Sequence, residues 1–454
     1  MNGHPERRTK PHHCIIIGGG ASGVLMAAHL LTGPAKGVSV TIVEQGRMLG
    51  CGIAYGTTNP DHLLNTRVSQ MSAFPEQPDH FERWLALDGK QFSQNCFVDR
   101  ATYGRYLSSL LEPWQFGPEA DRLRCVQNEC IQLSEKASGV TARLADGSVV
   151  TGDSVIVATG HAVPLAPEPP MRGAWDFSPP SDPEATVVII GTGLSMVDHV
   201  VTLLASGHRG EILCISRRGL LPQSHAGSKP IPYSEDQIPF RAPVSSFLNW
   251  LKKQAKSAEA GGGTWRDAVD GIRPHIAAIW RSWDHDARAR FLRHAASWWE
   301  VHRHRMPPNS AARIEGARNN GQLSVTRGQF ERAVVLSGGR VEVDIIPPGR
   351  QEIKTLLADH VIDCRGIRRD PEIHAAPVIR DLLARGAARL DPLRLGLDTT
   401  DDANLIAADG QVSSRIRAIG PAARGALWEI TAIPDIREQT FRLSRVLPGI
   451  GSGW

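Results

Sequence analysis

No apolar run in the 454 residues approaches the roughly 18 that a membrane-crossing helix needs, so no membrane partner is expected. The opening stretch MNGHPERRTKPHH lacks the apolar segment of an export signal, and a cytoplasmic protein is the expectation. Cysteine is scarce: seven residues, an odd number in a chain this long, do not make a disulfide framework. Cys125 and Cys130 have the spacing of some redox-active disulfides, but LRCVQNECIQL reads as a strand rather than a helix start. Lys and Arg never gather into a dense run and the net charge is only +4, which argues against nucleic acid. That small surplus suits an anionic small molecule better. With 41% hydrophobic and 22% charged residues, the chain has the make-up of a globular protein large enough for two or three domains.

What is present in quantity is glycine, and it is placed with purpose. In CIIIGGGASGVLMAAHLL, residues 14 to 31, Gly18, Gly20 and Gly23 have G-x-G-x-x-G spacing between a β-rich strand and a helix, with Ser22 in the first helical turn. The spacing serves a tight turn, close backbone approach to a pyrophosphate and tight packing of helix on strand. Glu44 ends the next strand, VSVTIVE, where a carboxylate accepts hydrogen bonds from both ribose hydroxyls. FAD and NAD both satisfy these residues. Gly160, at the end of a later apolar strand in VTARLADGSVVTGDSVIVATG, joins the same cofactor set, as that hairpin feeds back into the main sheet.

VVIIGTGLSMVDHVV, residues 187 to 201, repeats the unit with Gly191, Gly193 and Ser195, but Met196 takes the third glycine's place. The following strand, EILCIS, leads into Arg217-Arg218 instead of an acid. Guanidinium groups there pair with a 2′-phosphate, so NADPH is expected over NADH. The competing reading is a structural duplicate whose nucleotide site has decayed.

Between the units, 163–185 packs seven prolines into 23 residues and reads as a stiff linker. Residues from about 245 to 305 look helical and hold six of the eleven tryptophans, as an inserted helical cap would. HVIDCRG and RIRAIGP, which contains Gly420, read as late strands returning to the first sheet. The expected fold is α/β, with two Rossmann-like dinucleotide-binding domains and a helical insertion. The FAD-binding domain takes 12–185 and 361–454, the NADPH-binding domain 186–222 and 309–360, and the cap 223–308.

In the cap, Arg290, Arg293 and His294 precede Trp298, Trp299, His302, Arg303, His304 and Arg305. Arginines beside aromatic walls suit a small carboxylate, which the guanidinium fork binds bidentately. Arg290, Arg293, His304 and Arg305 are therefore the candidate substrate ligands. A metal on His302 and His304 is not expected, because i, i+2 spacing on a helix points them apart.

GCGIAYG, HLLNTRVSQMSAFPEQPDHFERWL, SRRGLLPQSH, RFLRHAASWWEVHRHRMPP and GALWEITAIPDIREQ together resemble a bacterial family of FAD/NAD(P)-binding proteins related to the N-hydroxylating flavin monooxygenases. The resemblance implies FAD on the first loop and NADPH on the second, with molecular oxygen as co-substrate. It puts His62 and Asn65 beside the flavin, Asn65 also in a catalytic role, and the amino end of a helix starting near Pro434 and Asp435 against the flavin pyrimidine edge. It implies N-oxygenation of a small amino acid or amine such as aspartate, since a nitrosuccinate-forming aspartate N-oxygenase is among the characterised relatives. An amine must lose a proton before it attacks oxygen, and His225 or His302 is the candidate base. The chain departs from its relatives at Cys364-Arg365-Gly366, where they usually carry Thr before the glycine, and at Pro421, where disulfide-reductase relatives carry Asp. Two other readings stay open: an NADPH-dependent flavin reductase or dehydrogenase acting on an organic acceptor, and a non-catalytic flavin-binding regulatory protein.

Overall fold

The structure, a computed structural model, describes residues 11–33, 37–87, 89, 93–162, 168–366 and 370–447. Most of the amino-terminal polar tail and the first five residues of the proline-rich stretch lie outside the described residues. The chain divides into two compact units, one of Met1–Thr58, Arg67–Ala162 and Arg369–Trp454, the other of Asn59–Thr66 and Val163–Arg368.

The first unit is built on a six-stranded sheet in the order Asn404–Ile406, Val412–Ala418, Ser154–Val157, His12–Ile17, Val38–Glu44, Leu123–Gln127. All its pairings are parallel except that of the edge strand Asn404–Ile406. The central strands are apolar on both faces, Cys14 to Ile17 being 3% exposed or less, because helices cover one side and a second sheet the other. That second sheet is the antiparallel set Cys130–Lys136, Gly139–Leu144 and Val149–Gly152, whose hairpin turns at Asp146-Gly147 as the sequence indicates. Helix Ile433–Val446 lies along helix Ala21–Thr32, tied to it by a 3.0 Å hydrogen bond between His29 Nδ1 and Thr440 Oγ1.

The second unit has a five-stranded parallel sheet in the order Leu323–Arg327, Ile212–Ser216, Val187–Ile190, His360–Asp363, Arg172–Gly173, and an antiparallel sheet of Gln329–Val335, Val341–Ile346 and Lys354–Ala358. Two expectations are corrected here. Strand His360–Asp363 does not return to the first sheet; it pairs with Val187–Ile190 in the second, and Cys364 donates its N–H to Ile190 O. A short buried strand satisfies either parallel sheet, so its pattern alone carries no address. The described part of the proline-rich stretch is more than a spacer, since Arg172–Gly173 adds the edge strand. Within 223–308 lie the helices Val244–Ala260, Trp265–Ile272, Ile276–Ser282, His285–His294 and Ala296–Arg303, with Trp280, Trp283 and Trp299 at most 5% exposed. Among the described residues, no helix is long and apolar enough to cross a membrane, and no cluster of His, Cys, Asp and Glu could hold a metal.

Candidate functional site: two glycine loops

The two loops are built alike. Each helix is 12 residues long and starts after a glycine N-cap, Gly20 or Gly193, in extended backbone. Each loop's first glycine, Gly18 at φ +105° and Gly191 at φ +115°, occupies the left-handed region that side chains avoid. At Gly18 any Cβ would press on the Ala158 carbonyl, and at Gly191 on the Cys364 carbonyl, because the neighbouring strand passes directly beneath.

The third position separates them. A Cβ on Gly23 would overlap the Gly18 carbonyl oxygen, so helix and loop in the first unit touch backbone to backbone. Met196 instead sends its side chain into the core of the second unit, fully buried with Val187, Ile189 and Cys214.

The first unit holds nine of the residues singled out from sequence. Glu44 Oε2 accepts from Gly19 N at 2.6 Å and Oε1 from Gly46 N at 2.8 Å, which fixes the carboxylate while leaving each oxygen a further lone pair. Ser22 and Gly420 face each other so closely that a Cβ on Gly420 would meet the Ser22 hydroxyl; Gly420 N donates to Gln439 Oε1 at 2.8 Å. Gly160 follows two residues after Ala158, at the carboxyl edge of the same sheet. Pro434 and Asp435 fall in the first turn of helix Ile433–Val446, whose amino end has no side-chain cap, and such an end contributes roughly 0.3 to 1 kcal/mol to a nearby anion.

Three further residues of this site were not read from the sequence. Gly50 N donates to Gly19 O at 2.7 Å, and Gly52 Cα is the one heavy atom within 4 Å that a Cβ on Gly20 would meet, so the GCG turn forms the wall of the loop. Thr159 Oγ1, beside the loop, is buried and has no hydrogen-bond partner among the described residues. The glycine pair in GCGIAYG was the available signal for the first two. An open cradle over Gly20, a fixed carboxylate and an orphaned hydroxyl fit a dinucleotide such as FAD.

In the second loop, Gly193 has open space around it and Ser195 sits in the first helical turn, half-buried. Arg217 is exposed after strand Ile212–Ser216, and Arg218 donates to Arg293 O at 3.0 Å. These groups fit an anionic nucleotide.

The remaining candidates all fall in the second unit and scatter. His62 is fully buried: its Nε2 lies 2.8 Å from Thr202 Oγ1 and its ring is edge-on to Phe177 at 4.3 Å, so it packs in a core. Asn65 and His225 do meet, with His225 Nε2 donating to the Asn65 carbonyl at 2.9 Å, which leaves the basic lone pair on Nδ1. The helical stretch that carries 290–305 is broken at Ala295, leaving Arg290 and Arg293 exposed on one helix and His302 on the next. His302 Nδ1 donates to Trp298 O at 2.7 Å. His304 is half-buried at the end of that helix. Arg305 is 2% exposed and holds Asp270 with both ends of its fork, at 2.6 and 3.0 Å. Burial pushes the Asp270 carboxyl up, but the Arg305 hydrogen bonds and charge outweigh it and hold the group below its usual range.

Burial also sets the protonation of the histidines. It pushes His29 down to about 4 against the opposing hydrogen bond to Ala73 O, and His199 down to about 4 against that to Ala174 O. His161, next to Gly160, is pushed to about 3 by burial and by Arg424. A histidine whose folded pKa lies below its unfolded value near 6.5 binds fewer protons when native. Its stabilising effect is therefore complete above pH 6.5 and is lost as pH falls toward 4, at about 1.4 kcal/mol per pH unit. The expected result is a urea midpoint that drops between pH 6.5 and 4.5 less steeply in His29→Leu than in the parent protein; equal slopes would contradict it.

A family model described as FAD-NAD(P)-binding matches residues 15–162, the segment that carries the first loop. Among solved structures, the reduced form of ornithine hydroxylase PvdA from Pseudomonas aeruginosa aligns over 95% of this chain and 98% of its own, with a TM-score of 0.59 and 16% identity. The cadaverine monooxygenase DfoA from Erwinia amylovora, bound to FAD, aligns over 97% and 95% with a TM-score of 0.60 and 12% identity. This chain has the fold of these hydroxylases. The Kutzneria sp. 744 ornithine N-hydroxylase KtzI, solved with reduced FAD, NADP+ and L-ornithine, aligns over 95% and 97%, with a TM-score of 0.57 and 14% identity. No curated protein matches the sequence.

Proposed function

We propose that this chain is an FAD-dependent, NADPH-using monooxygenase that N-oxygenates a small amine or amino acid. The observation that carries the reading is the pair of glycine loops, one followed by a carboxylate fixed on its own loop and the other by arginines, on a fold similar over nearly its full length to an ornithine N-hydroxylase. Gly18, Gly20, Ser22, Gly23, Glu44, Gly160 and Gly420 would hold FAD, with Thr159 supplying a further hydrogen bond. Gly191, Gly193, Ser195, Arg217 and Arg218 would hold NADPH. Bound FAD supplies hydride acceptance from NADPH and oxygen activation. His225, with its Nε2–H committed to the Asn65 carbonyl, is the better base for the amine proton. His302 remains the alternative.

The cap does not fix the charge of the substrate. Arg305 is already satisfied by Asp270, which takes one guanidinium from the set proposed for a carboxylate. An amine of either overall charge is therefore within the proposal, aspartate included. A reductase reading draws on a bacillithiol disulfide reductase from Bacillus cereus, which aligns over 96% of this chain with a TM-score of 0.53 and 14% identity.

The test is a panel of aspartate, ornithine, lysine and cadaverine added to flavin-loaded protein in air. The expected outcome is NADPH consumption stimulated by one amine and matched by hydroxylamine or nitroso product. Arg217→Ala with Arg218→Ala should raise the KM for NADPH about tenfold or more and leave NADH unchanged. Fast reoxidation by oxygen with no amine dependence would select the reductase, and a protein reduced by neither nicotinamide would be a binding protein.

A further inference from the structure

The turn that follows strand Ile212–Ser216 reads Ser216-Arg217-Arg218-Gly219, and it is closed by Gly219 N donating to Ser216 Oγ at 3.0 Å. Ser216 is in parallel register with Arg327, the last residue of the outer strand Leu323–Arg327, and Gly328 N donates to Ser216 O at 3.0 Å. The register sets a third arginine at the same sheet edge, 109 residues further along the chain.

Its side chain is aimed at the turn. A Cβ on Gly219 would lie 2.6 Å from Arg327 Cγ and 3.5 Å from Cδ, so the aliphatic stem of Arg327 runs across this glycine. Gly219 has φ +61°, and both its backbone and its lack of a side chain make room for the stem. Arg327 is exposed, as is Arg217. Arg218 spends one donor on Arg293 O. Guanidinium groups at one sheet edge repel one another, and a bound dianion offsets that repulsion.

We propose that Arg327 is the third member of the 2′-phosphate site and a determinant of nicotinamide choice. The inference rests on the reading that this unit takes NADPH. A phosphate ester carries close to two negative charges, more than one guanidinium neutralises, and two forks approaching from the turn and from the outer strand grip it from different sides.

The experiment is calorimetric titration of the flavin-loaded protein with 2′,5′-ADP and, separately, with 5′-AMP, which lacks the 2′-phosphate. The parent protein should bind 2′,5′-ADP at least tenfold more tightly. Arg327→Ala should remove most of that preference while leaving 5′-AMP unchanged, and Arg327→Lys should restore part of it, because a point charge replaces the charge but not the fork. Flavin content, carried by the other unit, should be the same in all three proteins. If Arg327→Ala keeps the parent's preference, the assignment of Arg327 is wrong and the NADPH reading stands. If the parent itself does not discriminate between the two nucleotides, the NADPH reading fails and this assignment falls with it.

Discussion

Gly23→Ala is expected to purify without flavin. The added methyl group overlaps the Gly18 carbonyl oxygen, which belongs to backbone held by Val43 O at Gly18 N and by the strand beneath it. Neither partner is the flexible end of a side chain, so relief requires helix Ala21–Thr32 to move away from the strand. That helix is buried along most of its length and linked through His29 to Thr440, and its displacement would carry Gly20, Ser22 and the amino end out of phosphate reach. A loss of flavin affinity of about a hundredfold or more is the expected size, by analogy with other misplacements of about an ångström. Absorbance at 450 nm per mole of protein and the dissociation constant for added FAD measure it. A yellow Gly23→Ala protein with parental affinity would mean that this loop does not hold the flavin. Met196→Gly is the contrasting change: it empties a filled core position, so it should lower stability and not create a tighter nucleotide site.

The second large effect is expected at Asp270. Removing its carboxylate leaves the Arg305 guanidinium at 2% exposure with its fork unpaired, retaining the hydrogen bond from Nε to His302 O at 2.7 Å and the Trp265 ring 5.1 Å away. Breaking a buried pair from one side costs about 3–5 kcal/mol, well above the cost of most surface changes. Asp270→Ala should therefore unfold at markedly lower urea concentration, and the double variant Asp270→Leu with Arg305→Met should recover much of the loss, because the remaining charge is gone. Equal destabilisation in single and double variants would instead assign the effect to packing around Trp265. The same pair bears on substrate binding: with Arg305 serving Asp270, Arg305→Met should act first on stability and only secondarily on KM.

How far the sequence leads is set by how local each signal is. Gly18, Gly20, Gly23 and Glu44 lie within 27 residues, and each answers a backbone demand of one βαβ unit, so the first site is legible without any fold. The second loop is legible for the same reason, including the change at Met196. The sheet that strand His360–Asp363 enters is not legible in advance, because a four-residue strand with only Val361 and Ile362 buried carries no mark of it. The break at Ala295 was missed because it uses neither glycine nor proline, and helical periodicity runs across it. The meeting of Asn65 with His225 spans 160 residues, and that of Asp270 with Arg305 spans 35; both depend on tertiary placement that no spacing rule encodes. The resemblance puts His62 beside the flavin, and nothing in its local sequence announces that Thr202 and Phe177 enclose it.

The bond between His29 and Thr440 joins residues 411 positions apart and helps clamp the last described helix onto the first. As the chain leaves the ribosome, nearly all of 163–368 is available to close on itself while the six-stranded sheet still waits for Val412–Ala418 and its unit for helix Ile433–Val446. Completion of the first unit is thereby deferred to the end of translation, and a chain cut short at about residue 430 would carry every strand of the second sheet but a first unit without helix Ile433–Val446.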